Sequence, residues 1–222
     1  MKPDESVKKD VVDQLSWDTR LDASSILVKV DGNAVTLTGE VPNYSNKMGA
    51  ERVVHAIRGV ESVENLIEVR FPEGFKVPDN VGLQTTVKTF LDLNTRVDDR
   101  NIGVKAEDGR LYLEGTVPTL YEKIVAEKEA KSIVGVLDVV NKLAVTPTEK
   151  IADELVGEHV MRRIEKNSIA EVDGINVTVS NGKVGLTGTV PSWSQWMSVI
   201  EAARHTKGVV DIEDRLSIRY NT

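Results

Sequence analysis

The sequence predicts an α+β fold made of three α-β-β-α-β modules in tandem, each a three-stranded mixed sheet with two helices on one face. Three observations carry this reading. Shifting the chain by 76 and then by 73 residues lays it on itself without gaps: Gly39, Gly115 and Gly188 coincide, as do Pro42, Pro118 and Pro191, and Gly59, Gly135 and Gly208. Inside each copy, apolar residues recur first every fourth residue and then every second, the periods of a helix face and of a half-buried strand. The stretches between copies, FPEGFKVPDN (Phe71 to Asn80) and TPTEK (Thr146 to Lys150), carry proline and suit exposed connections. Module boundaries follow at 1–72, 79–147 and 148–222. Each module has about 70 residues, a size at which folding alone is marginal, so the modules are expected to pack on one another within the chain.

The first element of each copy is a helix. Val7, Val11 and Leu15 recur as Leu83, Val87, Leu91 and as Val156, Val160, Ile164, one apolar stripe. Asp18, Asn94 and Asn167 follow and are expected to stop the helix in the left-handed conformation that Asn and Asp tolerate. The next run alternates: Ile26, Val28, Val30; Ile102, Val104, Ala106; Ile175, Val177, Val179. Gly32-Asn33, Asp108-Gly109 and Asn181-Gly182 then mark tight hairpins. The returning strands read Val35, Leu37, Gly39, Val41; Leu111, Leu113, Gly115, Val117; and Val184, Leu186, Gly188, Val190. A glycine on the inward face of all three calls for the close approach of another backbone, expected to be a helix.

After the shared proline, Asn43, Thr119 and Ser192 stand where a helix N-cap belongs, with Glu122 and Gln195 three residues on completing capping boxes. The second helix is expected to end at Gly59, Gly135 or Gly208. A last alternating segment closes each copy: Val63, Asn65, Ile67, Val69; Val139, Asn141, Leu143, Val145; Ile212, Asp214, Leu216, Ile218. Asn65, Asn141 and Asp214 sit inside an apolar series and read as structural groups that hydrogen-bond nearby backbone. A β-α-β crossover makes the second and third strands parallel.

Composition narrows function. The net charge is −7, spread over all three copies without a cluster of Lys and Arg, so nucleic acid is not an expected partner. Cysteine is absent, which removes disulfides and thiolate metal sites. His55, His159 and His205 fall at unrelated positions of the repeat and read as solvated surface; no metal site, cofactor or catalytic residue is expected. Asp98, Asp99 and Arg100 read as a loop rather than a carboxylate dyad. No apolar run approaches the roughly 18–20 residues of a membrane-spanning helix. The N-terminus, MKPDESVKKDVVDQL, lacks the apolar core of a secretory leader, which points to the cytoplasm for the sequence as given and to the periplasm where a leader has been removed.

With these residues assembled, the pattern I/V-x-V-x-V, hairpin, V/L-x-L-x-G-x-V, helix, G-V-x-x-V-x-N-x-L-x-V resembles the BON domain, the module of bacterial osmotically inducible and nodulation proteins. Its last part reads GVLDVVNKLAV from Gly135 to Val145, with Asp214 replacing Asn in the third copy. The resemblance implies a non-enzymatic binding protein, contacting a phospholipid membrane surface or an envelope protein, often under osmotic stress. A protein-interaction scaffold or chaperone that pairs through exposed sheet edges is the alternative.

Residues the copies do not share are where a contact site is sought. Trp193 aligns with Tyr44 and Leu120, bulky each time, and reads as packing at the helix entrance. Trp196 aligns with Lys47 and Lys123, and an indole where lysine stands twice is unusual surface. With Met197 these two make the candidate ligand or membrane contact; the competing reading for Trp196 is a seam against the second copy. Trp17, aligned with Leu93 and Lys166, reads as local packing.

Overall fold

The computed structural model describes residues 3–71, 73–167 and 174–219. The first copy runs α1 (Asp4–Trp17), β1 (Ile26–Asp31), β2 (Ala34–Val41), α2 (Tyr44–His55) and a third strand in two pieces, β3 (Ser62–Asn65) and β4 (Glu68–Val69). The second runs α3 (Asn80–Asp92), β5 (Ile102–Glu107), β6 (Arg110–Val117), α4 (Leu120–Ser132) and β7 (Asp138–Val145), with one 3-10 turn at Asp99–Asn101. The third runs α5 (Asp153–Asn167), β8 (Asn176–Ser180), β9 (Lys183–Val190), α6 (Trp193–Arg204) and β10 (Asp211–Ile218). The returning strand is central each time: β1-β2-β3, β5-β6-β7 and β8-β9-β10. β2 is antiparallel to β1 and parallel to β3 and β4, and β9 stands in the same relation to β8 and β10. This is the predicted mixed-sheet α+β fold, three times over.

Both helices of a copy use the same face of the central strand. In the first copy Val7, Val11 and Leu15 of α1, Ala50 and Val54 of α2, and Val35, Leu37 and Val41 of β2 form one buried cluster. In the third, Val156, Val160 and Ile164 meet Val184, Leu186, Val190, Val199 and Ala203. Each fully buried Val or Leu contributes about 1.5–3 kcal/mol relative to exposure. The opposite sheet face carries ion pairs such as Arg70–Glu40, Lys142–Glu114 and Lys183–Asp211.

The chain divides into two compact units: Met1–Val87 with Lys105–Leu111 and Glu129–Val140, and Lys88–Val104 with Tyr112–Lys128 and Asn141–Thr222. The division runs through the middle copy. Within the second unit, Leu120 of α4 is part of the same apolar cluster as Val160, Leu186 and Val199, and Ile124 packs against it. Within the first, Lys131 Nζ of α4 lies 5.2 Å from the centroid of the Tyr44 ring of α2.

Two clamps recur at equivalent positions. The first is the strand glycine. A Cβ on Gly39 would stand 1.9 Å from the Ser25 carbonyl oxygen, one on Gly115 1.9 Å from that of Asn101, and one on Gly188 2.4 Å from that of Gly174. The close neighbour is thus backbone, as expected, but it is the carbonyl at the entry to the first strand of the same hairpin, in the second copy the last residue of the 3-10 turn, and not one of the two packed α-helices. The φ values of +111°, +117° and +134° exclude a side chain independently. The second clamp ties the first helix to the hairpin tip: Gly32 N–H donates to Asp4 Oδ2 (3.1 Å), Asp108 N–H to Asn80 Oδ1 (2.8 Å), and Asn181 N–H to Asp153 Oδ2 (2.7 Å).

Three local expectations are corrected. Asp18 and Asn94 do not take left-handed backbone; Asp18 has φ −80° and ψ 99°. Their side chains instead accept from the residue two places on, Arg20 N–H at 3.0 Å and Arg96 N–H at 3.0 Å, which stops the helix by a local turn. Asn167 is itself the last residue of α5. The second helices finish at His55, Ser132 and Arg204, several residues before Gly59, Gly135 and Gly208. Bonds such as Ile57 N–H to Val54 O and Val60 N–H to Ile57 O tighten the chain first, and the left-handed glycine then turns it. Finally, Glu122 does not close a reciprocal capping box. Its carboxylate accepts from the Thr119 hydroxyl and from Asp98 N–H at 2.9 Å, holding the entry loop of β5.

Gly39→Ala should therefore cost at least ~2 kcal/mol, because it meets both a forbidden φ and a backbone oxygen that cannot move alone. Gly32→Ala, left-handed but with nothing within 4 Å of the added carbon, should cost about 1 kcal/mol. Urea unfolding of the two variants checks the difference.

Candidate functional site: two tryptophan surfaces

The predicted contact residues lie on α6, and a set of coordinated replacements explains their arrangement. In the first two copies the third strand is tied to the second helix by asparagine. Asn65 Nδ2 donates to Lys47 O (2.9 Å) and Glu51 Oε2 (3.0 Å), while its Oδ1 accepts from Ile67 N–H. Asn141 repeats this with Lys123 O (3.0 Å), Glu127 Oε2 (3.0 Å) and Leu143 N–H. In the third copy lysine has become Trp196, the glutamate has become Ile200 and the asparagine has become Asp214. An ionised carboxylate has no hydrogen to donate, so the direction reverses: Trp196 Nε1–H donates to Asp214 Oδ2 at 2.9 Å. Asp214 Oδ1 still accepts from Leu216 N–H, and Ile200 is buried in the core.

Trp196 is half-buried and packs against the apolar cluster of its unit; the Trp193 ring stacks on it at 4.2 Å between centroids and 17° between planes. Trp193 and Met197 line a shallow depression of about 480 Å³ with Ser194, Ser198 and Glu201. The structure thus places Trp193 and Met197 on one surface, with Trp196 stacked on Trp193 and packed against the core. It also commits the indole N–H of Trp196 to the protein itself.

Trp17 behaves otherwise than expected. It is 81% exposed at the end of α1, so local packing is not its role. It borders a cleft of about 740 Å³ between α1 and α2, lined also by Asp18, Arg20, Leu21, Asn46 and Arg52. Arg20 grips Asp18 through Nε (2.8 Å) and Nη2 (2.6 Å). That pairing, first of all, lowers the Asp18 carboxyl to about 2, with the charge of Arg52 a smaller contribution. The carboxylate is therefore ionised and paired with Arg20 throughout ordinary pH, and Arg52 is the further cation in the cleft that the exposed indole borders. Leu93, the equivalent residue in the second copy, is 74% exposed. The alignment of Trp17 with Lys166 was the available signal for this site.

Asp98, His55 and His205 have partners within the fold. Asp98 accepts from Arg100 (2.7 Å from Nε), which holds its carboxyl below the usual carboxylate range. His55 is not solvated: burial lowers its pKa, against a smaller opposing influence of Glu51. His205 caps α6, its ring 4.9 Å from that of Tyr121. Among the described residues no group of three or more His, Asp or Glu is placed to hold a metal ion, and no helix is long and apolar enough to cross a membrane.

Against this geometry the comparisons with known proteins can be set. The model of the BON domain matches residues 3–70, 79–147 and 152–220. The osmotically-inducible protein Y of Escherichia coli (strain K12) is 32% identical over 124 residues, 54% of this chain and 62% of that protein. This chain therefore spans less than two thirds of that relative's length. An uncharacterized protein in the gshII 5′ region of Anaplasma centrale is 26% identical over 126 residues, 54% of this chain and 83% of its own. Among solved structures, CdsD, a structural protein of the type III secretion system of Chlamydia trachomatis, matches 97% of this chain and 93% of its own at 15% identity and a TM-score of 0.28.

Replacing Trp196 by Phe and Asp214 by Ala, singly and together, should reveal a coupling of about 1 kcal/mol in urea unfolding, the contribution of one hydrogen bond to a charged acceptor at a half-open site.

Proposed function

We propose that this chain, which belongs to the BON-domain family with three modules in tandem, is a non-enzymatic, stress-associated protein that contacts phospholipid membrane or envelope components through its modules. Family membership supports binding rather than catalysis, and the osmotically-inducible relative supports the link to stress. One observation carries the membrane reading: Trp17 stands 81% exposed above a cleft that also holds Arg20 and Arg52. An indole joins an apolar body to a polar N–H and settles at the headgroup level of a bilayer. Arg20 is balanced by the Asp18 carboxylate that it grips, so the net attraction comes from Arg52, about 1 kcal/mol near an anionic surface. A chain of net charge −7 overcomes its average repulsion only through such a local patch. Leu93 offers an apolar residue at the equivalent point of the second module.

The contact is peripheral in this reading, with Trp17 entering the interface while the helices stay in water. A scaffold or chaperone role without lipid is the second reading, favoured by the open outer strands of the sheets; Leu27 on the edge strand β1 is 68% exposed.

Flotation with vesicles of phosphatidylethanolamine and phosphatidylglycerol tests the first reading. The wild type should rise with the vesicles, Arg52→Gln should weaken partitioning about 5-fold, and Trp17→Ala should weaken it further. A wild-type chain left at the bottom of the gradient, alongside partners recovered from lysate without lipid, would establish the second reading instead.

A further inference from the structure

Two contacts between neighbouring modules obey one rule. In the first unit, Tyr44 in the first turn of α2 lies under Lys131 near the end of α4. In the second unit, Tyr121 in the first turn of α4 lies against His205 at the end of α6, and Leu120 and Ile124 of the same face enter the third module's apolar cluster. So the start of a module's second helix meets the finish of the next module's second helix. The donor face carries a large apolar pair four residues apart: Tyr44 and Met48, then Leu120 and Ile124. The receiving face carries a cationic or ring side chain.

The third module has the same donor face. Its equivalent pair is Trp193 and Met197, and these, with Ser194, Ser198 and Glu201, line the depression of about 480 Å³ on α6. The first module has the matching receiving end. The residues equivalent to Lys131 and His205 are His55 and Ala56, with Arg52 and Arg58 close by in sequence. Glu201 of the donor face already lies against Arg204 (2.9 Å) and His205 (3.3 Å) of its own helix end. The match between the two ends is therefore one of position in the repeat, with the small Ser194 and Ala56 standing where the second seam has Tyr121 and His205.

We infer that this α6 surface docks the receiving end of the first module of a second copy of the chain, in the manner of the seams inside each copy. Such an interface is heterologous: two different patches meet, so association runs head to tail and extends beyond a dimer. The occupant is fixed by continuity with the internal seams, whose donor positions recur in the third module and whose receiving positions recur in the first. Nothing in this inference depends on lipid.

Sedimentation of the full chain without lipid, over a wide concentration range, tests it. Wild type should show an average mass that climbs past two chains. Trp193→Asp should weaken association ~10-fold or more, as removal of a central aromatic anchor does. Ser194→Arg, at an exposed position where folding is not at stake, should block the donor face, and Ala56→Arg, also exposed, should block the receiving face. Each variant alone should stay monomeric. Mixed in equal amounts, they should form a heterodimer and stop there, because one intact donor meets one intact receiver. A wild type that is monomeric throughout, association that survives Ser194→Arg, or a mixture that stays monomeric would each overturn the inference.

Discussion

The fold depends on a carbonyl oxygen that occupies the place of a missing side chain. Ser25 O over Gly39, with its counterparts over Gly115 and Gly188, brings the entry of the first strand onto the central strand more closely than any Cβ permits. Because Ile26 pairs with Gly39, this approach sets the hairpin register, and a slip of one residue would turn every inward valine and leucine to solvent. With the register fixed, Val35, Leu37 and Val41 all face the two helices. The parallel third strand then takes its place beside β2, Ala34 opposite Ser62, just as Lys183 lies opposite Asp211 in the third module.

Much of this was legible in the sequence because threefold repetition separates constraint from accident. The helix stripes, the hairpin dipeptides and the N-caps each follow from local chemistry, and Asn43 and Ser192 do cap their helices through Asn46 N–H and Gln195 N–H. What was not legible depends on who the distant neighbour is. A glycine announces that something comes close but does not say whether it is a helix or a strand entry. Asp4, Asn80 and Asp153 look like ordinary first-turn helix residues until the hairpin tip, 28 residues away, brings its amides to them. Asp18 signalled a helix stop correctly, yet the mechanism depends on Arg20, whose guanidinium gives the turn a stronger partner than left-handed backbone would.

The tryptophans show the same limit at the level of the site. The argument that picked out Trp196, an indole where both other copies hold lysine, applies to Trp17 through one copy, Lys166, and it is Trp17 that stands in solvent. Trp196 is drawn inward because its neighbours changed with it. Asp214 accepts its N–H, and Ile200 replaces the carboxylate that binds asparagine in the other modules. A three-residue exchange of this kind keeps the tie between helix and strand while turning a polar surface into an aromatic stack with Trp193. The modules therefore share what holds each one shut, and they differ at helix ends and first turns, where a partner can be met without disturbing the core.

The most direct test of that division of labour is the depth of Trp17 in a bilayer. In a chain carrying Trp193→Phe and Trp196→Phe, tryptophan emission reports on Trp17 alone. The account predicts a blue shift and quenching by lipids brominated near the headgroup when vesicles containing phosphatidylglycerol are added. Emission that keeps its aqueous maximum and ignores the brominated lipid, in a chain that still floats with the vesicles, would contradict it.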